Sequence, residues 1–374
     1  MVKQSEQPDK KALPSDQKTG VQPITLVHDH TDITKLMNPG TERRQSLTGF
    51  DEDYVDIVDY IVRSTHKIWE EWGLGRIYTH YRHNAEVHMA DGFIYGREAM
   101  LSSSINFLSA FPDRRAYADD VIWTGDDKHG FHTSHRITGI GTNLGYSVYG
   151  PPTGRKITYR TLANCFVYEN RVCEEWLVRD YLALVQQLGL NPHDVARKMA
   201  REGVPEGARP AALGAVERSI GQNPPAEYQP KSGQLFDIED FVSQILNEIW
   251  NRRLFNKLRD YFVSNYVCYT AGERQIYGIS DYFAYVMSFI VAFPDAGMSF
   301  DHIYWNEDPD GTFRVAVRWR LTGTHRGYSH LGEPSGKRVQ IMGITHYWIK
   351  DGKFQREWTL YDEIAVLTQI YREA

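Results

Sequence analysis

The sequence predicts an α+β protein made of two tandem domains of one kind, helices first and an antiparallel meander after. Repetition is the first reason. From Tyr95 onward, adding 182 to a residue number reaches its counterpart without a gap for about ninety residues. Tyr95-Gly96 answers Tyr277-Gly278, Phe111-Pro112-Asp113 answers Phe293-Pro294-Asp295, and Arg136 answers Arg318. Glu175-Trp176 and Asp180 answer Glu357-Trp358 and Asp362, while upstream Trp69 pairs with Trp250 at a shift of 181. A unit this long is a domain, not a solenoid repeat of roughly 20–50 residues. Length is the second reason, because 374 residues exceed one ordinary core. Third, the apolar period changes from helical to strand-like inside each copy.

Residues 1–49 are polar and Pro-punctuated, and read as a tail or an arm lying on another surface. The first domain, 50–190, opens with Tyr54, Ile57, Val58, Ile61, Val62, Ile68 and Trp69 at a spacing that buries one helical face. His80, His83 and His88 follow near the end of this helical region. A second helix over 97–110 carries Met100, Leu101, Ile105 and Leu108 and stops at Phe111-Pro112-Asp113. Residues 118–124, 130–139, 156–168 and 172–181 then read as strands. A linker, 191–235, holds short helical pieces at 194–202 and 211–220 before Asn223-Pro224-Pro225. The second domain, 236–374, repeats the scheme, with Asp237 or Asp240 available as a helix cap. Its last hairpin turns on Asp351-Gly352, a strong hairpin signal.

The formal charge of −6 gives no reason to expect nucleic acid or an anionic membrane as partner. Cys165, Cys173 and Cys268 form no CxxC and no closed disulfide framework, which suits a reduced cytosol. The N-terminus lacks the apolar stretch of a signal peptide, and no run approaches ~18 apolar residues. A cytoplasmic protein is expected.

Four motifs recur in order in both halves. The run Val172-Cys173-Glu174-Glu175-Trp176-Leu177-Val178-Arg179-Asp180 resembles the closing motif of SnoaL-like polyketide cyclases, as does Glu357-Trp358 with Asp362. Val315-Ala316-Val317-Arg318-Trp319, then Gly323-Thr324 and Gly332-Glu333-Pro334-Ser335-Gly336, are similar to the same family. The resemblance implies two cone-shaped barrels of the nuclear-transport-factor type, each with helices closing a curved antiparallel sheet over an apolar pocket. It also implies that the acid four residues after the tryptophan, Asp180 or Asp362, is a general acid/base. Burial at the narrow end of a cone would raise such a carboxyl toward the working range. The alternative for Asp180 is a cap on the helix that follows it.

Other candidates are weighed by strand parity. His129, His132 and His135 tempt a metal reading, but residues three apart in a strand face opposite sides, so no metal is expected. His135 occupies the parity filled by Val315, Val317 and Trp319 in the second copy, so it either finds a buried partner or lines the pocket. His88 aligns with Tyr269, and both types can relay a proton. Asn164 aligns with His346, and either can hydrogen-bond a carbonyl or enolate oxygen. A tight Asp351-Gly352 turn pairs Thr345 with Trp358 and leaves His346 on the opposite face; a bulge would reverse that. Trp176 and Trp358 are an aromatic wall or plain core. Tyr159, Trp123 and Tyr269 complete the expected substrate-binding set. Arg136 and Arg318 lie on the opposite parity from His135, as outer salt bridges or as anchors for a substrate carboxylate.

No GxGxxG or GxxxxGK[ST] phosphate cradle occurs, and no cofactor is expected. The expected activity is proton transfer next to a carbonyl of a small, partly apolar molecule: cyclisation, isomerisation or dehydration. Rivals are a hydrolase with Asp-activated water and a non-catalytic binding or assembly module. The expected partners are a small-molecule substrate and either a homo-oligomer or an internal pseudo-dimer. The first domain, richer in titratable groups, is expected to be the more active.

Overall fold

In the computed structural model, residues 23–29, 31–203, 208–209, 227–231 and 236–372 are described. The first half contains helices α1 (Ile33–Met37), α2 (Ile57–Trp69) and α3 (Ile77–His80), then strands β1 (Tyr81–Met89) and β2 (Phe93–Tyr95). Helix α4 (Arg97–Ala110) leads into the meander β3 (Arg115–Asp126), β4 (Gly130–Thr142), β5 (Lys156–Tyr168) and β6 (Arg171–Arg179). Helices α5 (Tyr181–Gln187) and α6 (Pro192–Glu202) and a short strand β7 (Ala208–Arg209) precede the second copy. That copy runs α7 (Ile238–Trp250), α8 (Lys257–Tyr261), β8 (Phe262–Thr270), β9 (Arg274–Tyr277) and α9 (Gly278–Ala292). It ends with β10 (Gly297–Glu307), β11 (Phe313–Thr324), β12 (Arg338–Lys350), β13 (Lys353–Tyr361) and α10 (Glu363–Tyr371).

Strand order is β3-β4-β5-β6-β1-β2-β7 in the first sheet and β10-β11-β12-β13-β8-β9 in the second. Both sheets are mixed, because β1 runs parallel to β6 and β8 parallel to β13. The expected antiparallel meander is present in both copies, and β1 and β8, which sequence periodicity did not mark, add one parallel pairing to each sheet. In β1 only Tyr81, Ala85 and Val87 are buried, too sparse a pattern to distinguish from a helix end. His83 therefore sits on an exposed strand position and shares no helical face with His80. The piece at 211–220 lies outside the described residues.

Helix starts follow their caps. Asp56 accepts from Asp59 N for α2, and Asp237, not Asp240, accepts from Asp240 N for α7. The hairpin β12–β13 turns on Asp351 and Gly352 with φ of 51° and 66°, the left-handed pair that a two-residue turn requires. A bulge between Trp348 and Ile349 then shifts the register, pairing His346 with Trp358 and Thr345 with Thr359. His346 and Trp358 consequently share a face.

That face meets the other domain. Each sheet turns one side to its own helices and the other to its sister, where a buried polar network forms. The Arg314 guanidinium holds the Asp120 carboxylate, whose second oxygen lies 3.3 Å from His346 Nδ1. His346 Nε2 is 2.7 Å from Ser134 Oγ, which donates to Asn164 Oδ1. Burial alone would raise the Asp120 carboxyl, but His346 and Arg314 beside it hold it well below the usual range. Asn306 exchanges two hydrogen bonds of 2.9 Å with the Trp123 backbone. From residue 23 on, the N-terminal segment lies on the first domain, with Val27, Leu36 and Leu47 buried in its core and Asp29 paired to Arg136 at 2.7 Å.

Removing one partner of a buried ion pair leaves the other charged and unsolvated. Arg314→Met should therefore lower stability by about 3–5 kcal/mol in denaturant titrations. Asp120→Asn combined with it should recover part of that loss; a single variant with wild-type stability would contradict this reading of the interface.

Candidate functional site

The first cone encloses a cavity of ≈ 80 Å³ between α2, α4 and the inner face of its sheet. Strand alternation places His135 and Ile137 of β4, Thr161, Ala163 and Cys165 of β5, and Glu175, Leu177 and Arg179 of β6 on its wall. The helices supply Tyr60, Ile68, Met100 and Phe107, so the walls are largely apolar. Into this setting the sheet projects a carboxyl, an imidazole and a guanidinium.

Glu175 accepts from the Tyr81 hydroxyl at 3.1 Å. Burial raises its carboxyl above the ordinary value, against the pull of Tyr81 and Arg179. His135 is buried and its Nε2 has no partner among the described residues. Burial, reinforced by His346 behind it, lowers the imidazole to about 3 and keeps it neutral. Arg114 and Arg179 stand over the Phe107 ring at 5.5 and 5.0 Å, and the Nε of each is buried without a partner among the described residues. A buried polar group left unsatisfied is costly, and such groups concentrate where a ligand completes them.

The second cone is built on the same plan and filled. Its cavity is ≈ 20 Å³. At the 182 shift, Ile137, Cys165 and Ser103 become Trp319, Tyr347 and Tyr285, all of which line the smaller space. Room for the Trp319 indole comes from Gly343, where any Cβ would collide with the ring. Trp319 Nε1 donates to Thr345 Oγ1 at 2.9 Å. The polar set is lost as well: His135, Arg114 and Arg179 become Val317, Ala296 and Tyr361. Glu357, equivalent to Glu175, remains but accepts from Tyr266 at 2.7 Å and is surrounded by Tyr282, Thr359 and Cys268.

Of the catalytic and substrate-binding residues expected from sequence, His135 alone lines the first cavity, with His80 of the titratable set also on its wall. Asp180 is buried at the outer end of β6, where it caps α5 by accepting from Ala183 N. It also accepts from Gly272 N at 2.7 Å and Glu273 N at 3.1 Å, so it latches the second domain to the first. Asp362 caps α10 in the same way, accepting from Ala365 N at 3.1 Å. Burial, then the charge of Asp91, raises the Asp362 carboxyl well above its usual range. Neither aspartate reaches a cone interior, because each follows its inward-facing glutamate by an odd number of residues and so faces outward.

Parity moves the aromatic candidates too. Trp176 and His88 stack on one another at 5.1 Å on the interdomain face, and Trp358 and Tyr269 do the same at 5.6 Å. Asn164 and His346 belong to the buried network between the sheets rather than to either cavity. Tyr159 packs beside Phe107 with its hydroxyl unpartnered, and Trp123 packs on Phe131. Glu86, His88 and Glu174 bring one donor atom each within 4.8 Å of one another, with His88 Nε2 already 2.8 Å from Glu174.

Glu175 was missed although its signal was present: Glu-Trp recurs as a pair, and only one member of adjacent strand residues can face inward. Arg114 and Arg179 carried no such signal.

The inner pocket, the mixed curved sheet and the duplicated plan define a tandem cone-fold protein. The SnoaL-like polyketide cyclase family model matches residues 60–188 and 241–370, and the chain belongs to that family. No curated protein gives a match. Among solved structures, the chain is similar to AclR from Streptomyces galilaeus at 23% identity, covering 35% of this chain and 79% of that one, with a TM-score of 0.31. A SnoaL-like polyketide cyclase from Agrobacterium tumefaciens strain C58 is similar at 22% identity over 36% of this chain and 99% of its own, TM-score 0.30. TsrD from Streptomyces laurentii gives 18% identity over 36% and 96%, TM-score 0.32. Among the described residues, no helix is long and apolar enough to cross a membrane.

The neutral His135 generates a pH prediction. Its folded pKa of about 3 lies below the ordinary 6.5, so the unfolded chain binds the proton first as pH falls. Its contribution is fully present above 6.5 and is lost toward 3, at about 1.4 kcal/mol per pH unit within that window. His135→Val, the residue of the second copy, should flatten the acid limb of a stability-versus-pH curve. Parallel curves for the two proteins between pH 6.5 and 4 would count against a buried neutral imidazole.

Proposed function

We propose that the first cone is the active one, a cofactor-independent general acid/base site for proton transfer next to a carbonyl. Support comes chiefly from one observation: a raised carboxyl and an unpartnered neutral imidazole share an apolar cavity that the sister cone has filled. Glu175 takes the proton from the carbon beside the carbonyl, and its elevated pKa suits a base working near neutrality. The carbonyl oxygen becomes an enolate, for which the N–H groups of Arg179 and Arg114 are available in a low-dielectric setting. His135 Nε2, as the N–H of a neutral imidazole, hydrogen-bonds the substrate oxygen, and the proton returned to the substrate is the one held on Glu175. Net reaction then depends on which atom is reprotonated or which carbonyl the enolate attacks, giving isomerisation, dehydration or aldol cyclisation. The second domain is read as a scaffold: its glutamate is saturated by hydroxyls and its cavity occupied by Trp319 and Tyr347.

Exchange of the α-protons of 2-tetralone for deuterium, followed by NMR, tests the chemistry without the natural substrate. Wild type should accelerate exchange over buffer, and Glu175→Gln should reduce the gain by roughly 10²–10⁴-fold. Glu357→Gln and Asp180→Asn should leave it within about threefold of wild type, since neither carboxyl faces the first cavity. Loss of exchange in Asp180→Asn with Glu175→Gln unaffected would overturn the assignment.

Ile137→Trp combined with Thr161→Gly, the counterpart of the Gly343 that makes room for the indole, provides an independent check by copying Trp319 into the first cone. Exchange should vanish while the unfolding transition stays cooperative. Full activity with the cavity filled would place the chemistry elsewhere.

A further inference from the structure

Between the two domains lies a cleft of ≈ 740 Å³, far larger than either cone cavity. The charged and titratable groups that face it are Arg318, Arg320, Arg372, His88, Asp91 and Asp301. Asp301 is neutralised by Arg320 at 2.8 Å. Arg318 is different. It is 92% buried by its 8% exposure, lies 3.4 Å over the Trp176 ring, and among the described residues has no carboxylate within ion-pair distance. Its Nε is buried without an acceptor. Burial lowers its pKa, and the charges of Asp301 and Glu174, neither in ion-pair contact with it, offset this only in part.

The pseudo-symmetric arginine shows what is missing. Arg136 stacks over Trp358 at 4.2 Å as Arg318 does over Trp176. There, however, the Asp29 carboxylate of the N-terminal segment binds Arg136 Nη2 at 2.7 Å. The residue beside it, Arg160, lies over the Tyr269 ring at 5.3 Å and takes up space. At the 182 shift Arg160 becomes Met342, which lines the open cleft instead. One half thus holds a carboxylate on a stacked arginine, and the other presents the same arginine to an open cleft.

We propose that the interdomain cleft is a second binding site, whose ligand is a small organic carboxylate with a flat apolar body. The carboxylate sits on Arg318 as Asp29 sits on Arg136, and a guanidinium stacked on an indole keeps its in-plane N–H donors for this contact. The body lies against Trp176, Phe93 and Met342. The volume falls in the ≈ 300–1,000 Å³ range of small-molecule sites. This site is separate from the first cone and stands whether or not the acid/base reading of that cone does.

Isothermal titration of the full chain with 2-naphthoate, against neutral 2-naphthamide, tests it. One equivalent of naphthoate should bind, with the amide at least about tenfold weaker, the worth of a charge-assisted bond. Arg318→Gln should weaken naphthoate by a similar factor. Because that change also removes a stacking contact between the domains, Met342→Trp is the second variant; it takes the space beside Arg318 that the ligand body would occupy, leaves Arg318 in place, and should weaken naphthoate at least about tenfold. Binding lost in Arg179→Gln but kept in both cleft variants would put the ligand in the cone and overturn the proposal. Equal competition by inorganic phosphate would reduce the site to a general anion hole, also overturning it, as would the absence of binding.

Discussion

Across the interface, each domain lays an arginine on the other domain's tryptophan: Arg318 on Trp176 and Arg136 on Trp358. A planar guanidinium over an indole tolerates partial burial because its charge meets the ring face while its edge stays free to bond. The two contacts are related by the repeat itself, so each half supplies the same donor and the same acceptor. Everything near the site follows from the parity this imposes. With Trp176 outward, Glu175 must point inward, and with Arg136 and Ser134 outward, His135 must face the cone. The tandem copies therefore divide each strand into an assembly face and a cavity face, and the chemistry-bearing residue types are distributed between them.

Duplication frees one copy from the cavity while both retain the interface. The second cone gave up both cavity volume and polar groups, with Trp319 and Tyr347 where the first has Ile137 and Cys165 and with Val317 where it has His135. Aromatic packing of this kind stabilises a core by burying large areas, and Gly343 provides the space that keeps Trp319 unstrained. On the outer face the copies diverge in the opposite sense. Asp120 and Arg314 carry charge, with the buried His346 beside them, where their counterparts His302, His132 and Asn164 do not. A symmetric arrangement would bury two acid–base clusters, doubling a desolvation penalty that one cluster incurs.

The duplicated fold was legible because repetition is insensitive to local ambiguity: ninety residues in one register outweigh any single propensity. Helices over 97–110 and the long meander strands were legible from period alone. The β1 and β8 strands were not, since each follows directly on a short helix and has exposed residues near its start that interrupt the alternation. Site residues fared worse for a related reason. His135 was found through its parity against Val317, a comparison internal to the sequence. Asp180, His88, Trp176, Asn164 and His346 were drawn toward the pocket because they recur or align, yet recurrence marks whatever both copies need, and both need an interface and a helix cap. The His346 face turned on one bulge at Trp348 and Ile349, the alternative that the sequence raised but could not decide.

The same constraint bears on whether either domain is self-sufficient. Leu162 and Val178 of the first domain lie in the core cluster of the second, each nearly inaccessible to solvent. Separating the halves would expose them together with the Asp120–Arg314 pair and the two tryptophans. Apolar exposure costs about 25 cal/mol per Å², and buried charges left unpaired add several kcal/mol. Typical net stabilities of about 5–15 kcal/mol leave little to absorb such losses. The second copy is thus bound to the first by energetics even though its own cavity is closed. The open cone borrows rigidity from a partner whose interior has been given over to packing, since Asn164 behind its wall is held through Ser134 by His346.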